Sequence, residues 1–349
     1  MSKASNSKKA VVLFNLGGPD KQSSVRPFLF NLFNDKYIIT LPQPFRWVLA
    51  FLISTLRNKT AQHIYSLMGG GSTILPETRK QAQMIQEGLS ASLKGSEAKV
   101  FVCMRHWHPM TEEVVRDIVE YHPGEIILLP LYPQYSTTTT ASSIECFLQH
   151  KNNFNLKNIP IKTICCYPEE PNFIKSHVEK IKTKIKDLEN YRILFSAHGL
   201  PKKIIDKGDP YQWQIEECSK QIIKGLGGGG YDHLVTYQSK VGPMEWLTPN
   251  TEDEILKAAK EGKNLVIVPI AFVSEHSETL VELDIEYKDL IKDYGIKYLR
   301  VSALSADSLF IDSMVSMVKN ALNKKDGYCG SSTGRRLCPE SFSKCPSKI

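Results

Sequence analysis

The chain has 349 residues, 42% of them hydrophobic and 23% charged, which is ordinary globular material and enough for two domains. Its formal charge of +7 weakly suits anionic ligands or surfaces. No zinc finger, basic zipper or aromatic RNA-binding motif accompanies that charge, which argues against nucleic acid as a partner. The longest apolar stretch, 47–53, is far too short to span a bilayer.

The first nine residues are short and polar, with no apolar h-region and no Arg-rich transit pattern, so the chain reads as cytoplasmic, with at most a peripheral contact to a membrane. An apolar strand is expected at 10–15, running into Asn15-Leu-Gly-Gly-Pro19. The segment 44–57 is apolar, with Arg46 and Arg57 near its ends. It reads equally as an interfacial helix, a lip able to touch lipid, or a buried core helix. Met68-Gly-Gly-Gly-Ser-Thr73 precedes a helix expected at 77–93. It lacks the Gly-Lys-Ser/Thr ending of a phosphate loop and the strand before it, so a backbone approaching a flat ligand closely is as good a reading.

Strands at 99–104 and 125–130 flank a helix at 110–121. The first ends in Met104-Arg-His-Trp-His108 and the second in Tyr132-Pro-Gln-Tyr-Ser136, followed by hydroxyls at 137–140. A strand at 161–166 meets Pro168-Glu-Glu-Pro171, which breaks the pattern. Beyond it come a helix at 171–188, a strand at 192–197 ending in Ser196-Ala-His-Gly-Leu-Pro201, a helix at 211–224 and a strand at 233–238. A helix at 251–261 and strands at 265–270 and 297–301 complete the series, and Gly225–Gly230 reads as a flexible connector.

Most strands are continuously apolar rather than alternating, as in parallel sheets buried on both faces. Their alternation with helices argues an α/β fold: two Rossmann-like doubly wound domains, each with a four-stranded parallel sheet. The expected bounds are 1–168 for the first domain, 169–324 for the second and 325–349 for a Cys-containing extension without a core of its own. Ligands of open α/β sheets bind outside the C-terminal strand ends, so the expected site is a cleft between the domains.

The run Pro269–Tyr287 places Glu278, Glu282 and Glu286 four apart, roughly on one helix face. Like charges at that spacing cost a helix stability, which suggests a path for a proton or a metal cation. A solvated face is the competing reading, and the interleaved Leu280, Leu283 and Ile285 count against it. His276 stands at the helix mouth. His198, at another strand end, is a candidate base or metal ligand; by itself it would read as a hydrogen-bonded loop histidine. Imidazole and carboxylate together suit a cation such as Fe2+. Arg105 is placed to pair with a ligand carboxylate. Tyr132, Met244 and Trp246 suit a large planar apolar ligand, although each alone would read as packing.

The stretches 15–19, 69–72, 132–136, 196–201, Gly208-Asp-Pro-Tyr211, Gln238-Ser-Lys-Val-Gly-Pro-Met244 with Trp246, and 269–287, in that order, resemble the ferrochelatase family. The resemblance covers nearly the whole chain, to about Asn323. It implies insertion of Fe2+, the metal substrate, into protoporphyrin IX, giving protohaem and two protons as the last step of haem biosynthesis. It implies that His198 and Glu278 face the macrocycle centre, as metal ligands or as acceptors of pyrrole protons, with both assignments open. Glu282 and Glu286 then match the acidic row leading away on a helix with a π-bulge, and 44–57 matches the apolar lip. A monomer and a homodimer are equally compatible with the sequence.

Some members of the family hold a [2Fe-2S] cluster on C-terminal cysteines plus one from the body of the chain. Eight cysteines are present, too reducing a setting being expected for a disulfide frame. Cys329, Cys338 and Cys345 stand in the tail with eight and six residues between them, and Thr137 follows Ser136 where animal enzymes carry the body cysteine. Four thiolates are usual, so free thiols and zinc stand beside the cluster as alternatives. Other functional readings are metallation of coproporphyrin or another tetrapyrrole, a non-catalytic porphyrin or haem carrier, which would not need the acidic row, and a nucleotide-binding protein, which would need the missing Gly-x-Gly-x-x-Gly.

Overall fold

The computed structural model describes residues 8–93, 95–154, 156–187 and 190–347; most of the polar N-terminal stretch lies outside them. The chain divides into two compact units.

In the first unit, β1 (Lys8–Asn15) leads to α1 (Val25–Phe33), α2 (Phe45–Ser66) and α3 (Ile74–Ser92). Then follow β2 (Glu97–Met104), α4 (Thr111–Tyr121), β3 (Glu125–Pro130), a π-helical turn at Thr137–Ala141, α5 (Ser142–Asn153) and β4 (Ile161–Cys166). β1 lies between β2 and β3, all parallel, and Ala10–Phe14 have essentially no exposure. Burial on both faces is why these strands read as unbroken apolar runs.

The second unit contains α6 (Pro171–Lys184), β5 (Tyr191–His198), α7 (Lys202–Asp206), α8 (Tyr211–Gly225), β6 (His233–Gln238), α9 (Thr251–Lys260) and β7 (Asn264–Pro269). After β7 come a π-helix at Glu278–Glu286, α10 (Tyr287–Asp289) and β8 (Tyr298–Arg300). The parallel strand order is β6-β5-β7-β8. Local chemistry starts the helices: Glu170 accepts from Phe173 N at 2.7 Å with Pro171 following it, and Asn250 accepts from Glu252 N and Asp253 N.

The expectation of two α/β halves holds, with two corrections. The first sheet has five strands, order β2-β1-β3-β4-β9, because the tail supplies β9 (Cys329–Ser331). Thr163 pairs with Cys329, and Thr163 N donates to Tyr328 O at 2.7 Å. The tail therefore has a place in a core instead of being an appendage. The chain also leaves the second unit inside α11 (Ser308–Leu322): Met314–Arg336 belongs to the first unit and Leu337–Cys345 returns to the second. A Cβ on Gly88 of α3 would stand 2.7 Å from Val315 Cγ2, so the helix lies on α3 where that residue has no side chain.

The buried-core reading of 44–57 is overturned. Helix α2 runs through to Ser66, and only Ala50, Ser54 and Tyr65 are buried on it. Phe45 is 67% and Leu56 80% exposed, while Trp47 stacks on Phe51 with ring centroids 5.6 Å apart. Among the described residues no helix is long and apolar enough to cross a membrane.

His177 on α6 is buried, edge-on to Phe173 at 4.9 Å, and neither ring nitrogen has a partner among the described residues. Burial and then Lys180 push its pKa down to about 3. Unfolded, the ring takes a proton near pH 6.5; folded, it stays neutral until far lower pH. Its contribution to stability is therefore lost progressively as pH falls from 6.5 towards 3, by about 2 kcal/mol at pH 5. His177→Phe keeps the ring and removes this liability, so its melting temperature is expected to fall less than the parent's between pH 7 and pH 5. Equal acid shifts in the two proteins would refute this.

Candidate active site

Three of the four C-terminal strand ends of the second sheet, those of β6, β5 and β7, lie side by side, with His198 in register with Gln238 on one side and Ser196 with Pro269 on the other. That places His198, the turn after β6 and the turn after β7 together. The turn after His198 must be glycine, since a Cβ on Gly199 would stand 2.9 Å from Gln238 O and 3.2 Å from the Trp246 ring. Trp246 meets the His198 ring edge-on at 6.4 Å, and Tyr211 OH donates to His198 O at 3.0 Å.

His198 Nδ1 donates to Glu278 Oε2 at 2.9 Å. Glu278 opens the π-helix, whose start is secured by His276: its carbonyl accepts from Thr279 N and Leu280 N, and its N–H donates to Thr279 Oγ1. Next along the row, the Glu282 carboxylate accepts from Gln238 Nε2, Ser239 N, Ser239 Oγ and Tyr287 OH. Ser196 Oγ donates to Gln238 Oε1 at 2.7 Å, which turns the Gln238 amide nitrogen towards the π-helix. Ser239 sits at φ +64°, a left-handed conformation costly for serine, and there its N–H meets Glu282. Glu286, one step further, is exposed. The three acids thus run from His198, through a carboxylate held by four donors, to solvent.

The electrostatics follow from burial and neighbours. Burial alone would push His198 down, but Glu278 and then Glu282 more than offset it, and the net shift is upward. Burial would raise Glu278, yet His198 and then His276 hold it at about 2. Side-chain exposures of 38% for His198 and 24% for Glu278 leave the pair partly screened by water. The upward shift of His198 and the downward shift of Glu278 both favour the imidazolium–carboxylate form of the pair. Burial pushes His276 down, with Glu278 and Glu275 offsetting only part, and its Nδ1 is buried with no partner among the described residues. His276 is neutral, with a lone pair to offer.

Met244 is 54% exposed on the loop before Trp246, whose Nε1 donates to Val241 O. The two first-unit candidates are engaged internally. Arg105 pairs with the buried Asp35 at 2.8 Å and donates from Nε to Ser142 Oγ at 2.7 Å. Tyr132 packs against the core of the first sheet, its hydroxyl 3.5 Å from Ser143 Oγ. Arg105 thus carries a counter-charge that the sequence did not reveal. The glycine runs serve each other: a Cβ on Gly18 would stand 2.5 Å from Ser72 Oγ, one on Gly71 2.5 Å from Asp20 O, and Ser72 N donates to Pro19 O at 2.7 Å. The close approach inferred for Gly69–Gly71 is, at Gly71, an approach to this chain's own backbone.

Sequence reasoning missed Gln238, Ser239 and Tyr287 as holders of Glu282, and Arg300 with Glu275 and Asp284 behind the row. Gln238 and Ser239 stand in a quoted motif, but their partner lies more than forty residues away in the chain. Cys329 lies on β9 beside Cys165 and Cys166, whose sulfurs are 3.7 Å apart, whereas Cys338 accepts from Gln214 Nε2 at 3.0 Å in the second unit. Among the described residues no three His, Cys, Asp or Glu side chains are grouped to hold a metal ion.

Two parallel α/β sheets of this topology give the fold seen in chelatases. The structure is similar to that of SirB from Bacillus subtilis with Fe3+, at TM-score 0.55 and 13% identity, covering 90% of this chain and 96% of the other. It is also similar to sirohydrochlorin chelatase SirB from Bacillus subtilis subspecies spizizenii in complex with cobalt, at TM-score 0.53 and 11% identity, covering 90% and 96%. At such identities the likeness is one of fold alone. The particular family is ferrochelatase, to which the chain belongs: the family model of that name matches residues 8–322. The ferrochelatase of Rickettsia bellii (strain OSU 85-389) is 57% identical over 96% of this chain and 94% of its own. Those of Rickettsia felis, at 54%, and Pelagibacter ubique, at 49%, each match over 97% of this chain and 98% of their own.

Proposed function

We propose that this chain inserts Fe2+ into protoporphyrin IX, releasing two pyrrole protons and forming protohaem at the end of haem synthesis. The observation that carries the reading is the His198–Glu278 pair with neutral His276 beside it and an acidic row running to the surface. Metallation needs proton acceptors and a place where Fe2+ exchanges water for protein donors. The pair holds one proton at two sites, and accepting another means protonating Glu278, which its low pKa opposes. His276 is neutral, and although burial holds its pKa below the usual imidazole range it takes a proton more readily than Glu278, so His276 is the first acceptor of a pyrrole proton. When Fe2+ arrives, His198 gives its proton to the row, and its imidazole with the Glu278 carboxylate forms the mixed N/O donor set that Fe2+ accepts; the second pyrrole proton leaves through His276 once the first has passed to the row. Glu282 and Glu286 carry protons outward. A [2Fe-2S] cluster enters no step.

The exposed apolar side of α2, with Phe45, Trp47 and Leu56, supports the less polar protoporphyrin as substrate and a peripheral contact with a membrane from the cytoplasm. Arg105 acts within the first unit through Asp35, and Trp246 and Met244 offer surface to the macrocycle. The test is an anaerobic assay of Fe2+ insertion with protoporphyrin IX and coproporphyrin side by side. Turnover is expected with protoporphyrin favoured about tenfold or more, the worth of a few apolar contacts. Binding without turnover would favour a carrier, and a preference for coproporphyrin would reassign the substrate.

A further inference from the structure

Behind the acidic row, β8 ties the π-helix to the sheet through two side chains: Tyr298 OH donates to Leu283 O at 2.7 Å, and Arg300 makes the larger set of bonds. Arg300, at the end of β8, donates from Nη1 to both Glu275 oxygens at 2.8 and 3.0 Å. Its Nε and Nη2 donate to the two Asp284 oxygens at 2.6 and 2.5 Å. The guanidinium is only 10% exposed, and Glu275 also accepts from Ala303 N at 2.9 Å. Glu275 immediately precedes His276, and Asp284 lies in the π-helix two residues past Glu282. A single planar fork thus grips the entry of the π-helix and its later turn, while Gln238, Ser239 and Tyr287 hold Glu282.

This arrangement has a reason. π-Helices are rare and occur mostly as single-turn bulges at functional sites. This one extends over nine residues, Glu278–Glu286, with three acids at four-residue spacing that repel one another. Such a segment keeps its register only if the surroundings impose it. A bidentate pair to Asp284, with Nη1 shared between the two Glu275 oxygens, fixes both distance and orientation, which a lysine's point charge would not.

We propose that Arg300 is a positioning residue: by clamping Glu275 to Asp284 it sets the register of the π-helix, and through it the placement of His276 and Glu278 against His198. The inference rests on the iron-insertion reading for its kinetic consequence, but not for its structural one. Asp284→Asn releases the π-helix while leaving the Glu275–Arg300 pair, so it tests the clamp even where an Arg300 variant fails to fold. Arg300→Gln removes the clamp, and Arg300→Lys keeps the charge without the fork.

Two measurements are made on the full chain. Hydrogen–deuterium exchange of amides 278–286 is expected to speed up in Asp284→Asn and Arg300→Lys, and unchanged exchange in both overturns the clamp whatever the reaction is. In the iron-insertion assay, kcat is expected to fall about 100-fold in Arg300→Gln and about tenfold in Asp284→Asn, with Arg300→Lys retaining more than Arg300→Gln. KM for the porphyrin and its binding, read by fluorescence quenching without iron, should stay within about twofold. Loss of kcat matching only the unfolded fraction, or a kcat close to the parent's in folded variants, overturns the positioning role. A parent chain without iron-insertion activity would refute the functional reading, leaving the exchange result to decide the clamp.

Discussion

His198→Ala is expected to lower the rate of Fe2+ insertion by at least about 10²–10⁴-fold and to leave the protein folded. In the proposed reaction the imidazole is the nitrogen donor of the pair, so its loss removes one of the two groups offered to the metal. It also removes the main partner that holds Glu278 at about 2, leaving burial to push that carboxyl up and His276 as the remaining offset. The same substitution therefore weakens both halves of the site. The fold is insulated from it. The side chain is 38% exposed, so truncation opens no closed cavity, and the bond from Tyr211 goes to the His198 backbone carbonyl, which alanine retains. Circular dichroism and melting temperature close to the parent's, with insertion lost in an anaerobic assay, are the expected pair of results. A folded variant inserting iron at the parent's rate would remove His198 from the reaction.

What the sequence made legible, and what it hid, divides along physical lines. Strands expected at 125–130, 161–166 and 233–238 match the observed bounds, because an apolar run between turn residues has few alternatives once both faces are covered. β9 was hidden: Cys329-Gly-Ser331 has no strand character of its own and becomes a strand only beside β4. The far half of α2 was hidden as well, since residues 58–66 are mostly polar and only Tyr65 is buried there. The acidic row was legible because side chains four apart share a face on an α-helix, and the same three acids line up here on a wider one. Its holders were not legible. Nothing local to Gln238 or Arg300 says that each meets an acid of the π-helix, because those pairings are made by sheet order, with β6 beside β5 and β8 beside β7. Arg105 teaches the converse: a free-looking arginine at a strand end already had its carboxylate, Asp35, some seventy residues earlier.

The row has a gradient that substitution can read. Glu278→Gln keeps the size and one acceptor of the side chain and removes its charge. His198 then loses its principal partner, burial prevails, and the ring is expected to be neutral at pH 7. In the proposed reaction iron loses the carboxylate bonded to His198, and insertion should fall by about 10²–10⁴-fold, with porphyrin binding retained. Glu282→Gln does something different. The carboxylate there accepts from four donors, so an amide must turn an NH2 group towards one or more of them. Part of its cost is thus structural, through Gln238 and Ser239, and appears in melting temperature as well as rate. Glu286 is exposed, where water can relay protons in its place, so Glu286→Gln should change the rate by less than about threefold. The expected order of loss is Glu278 first, Glu282 next and Glu286 last, measured as kcat for Fe2+ insertion at one pH. An order with Glu286 first would mean that delivery at the outer end limits the reaction, and the row would then serve iron entering before it serves protons leaving.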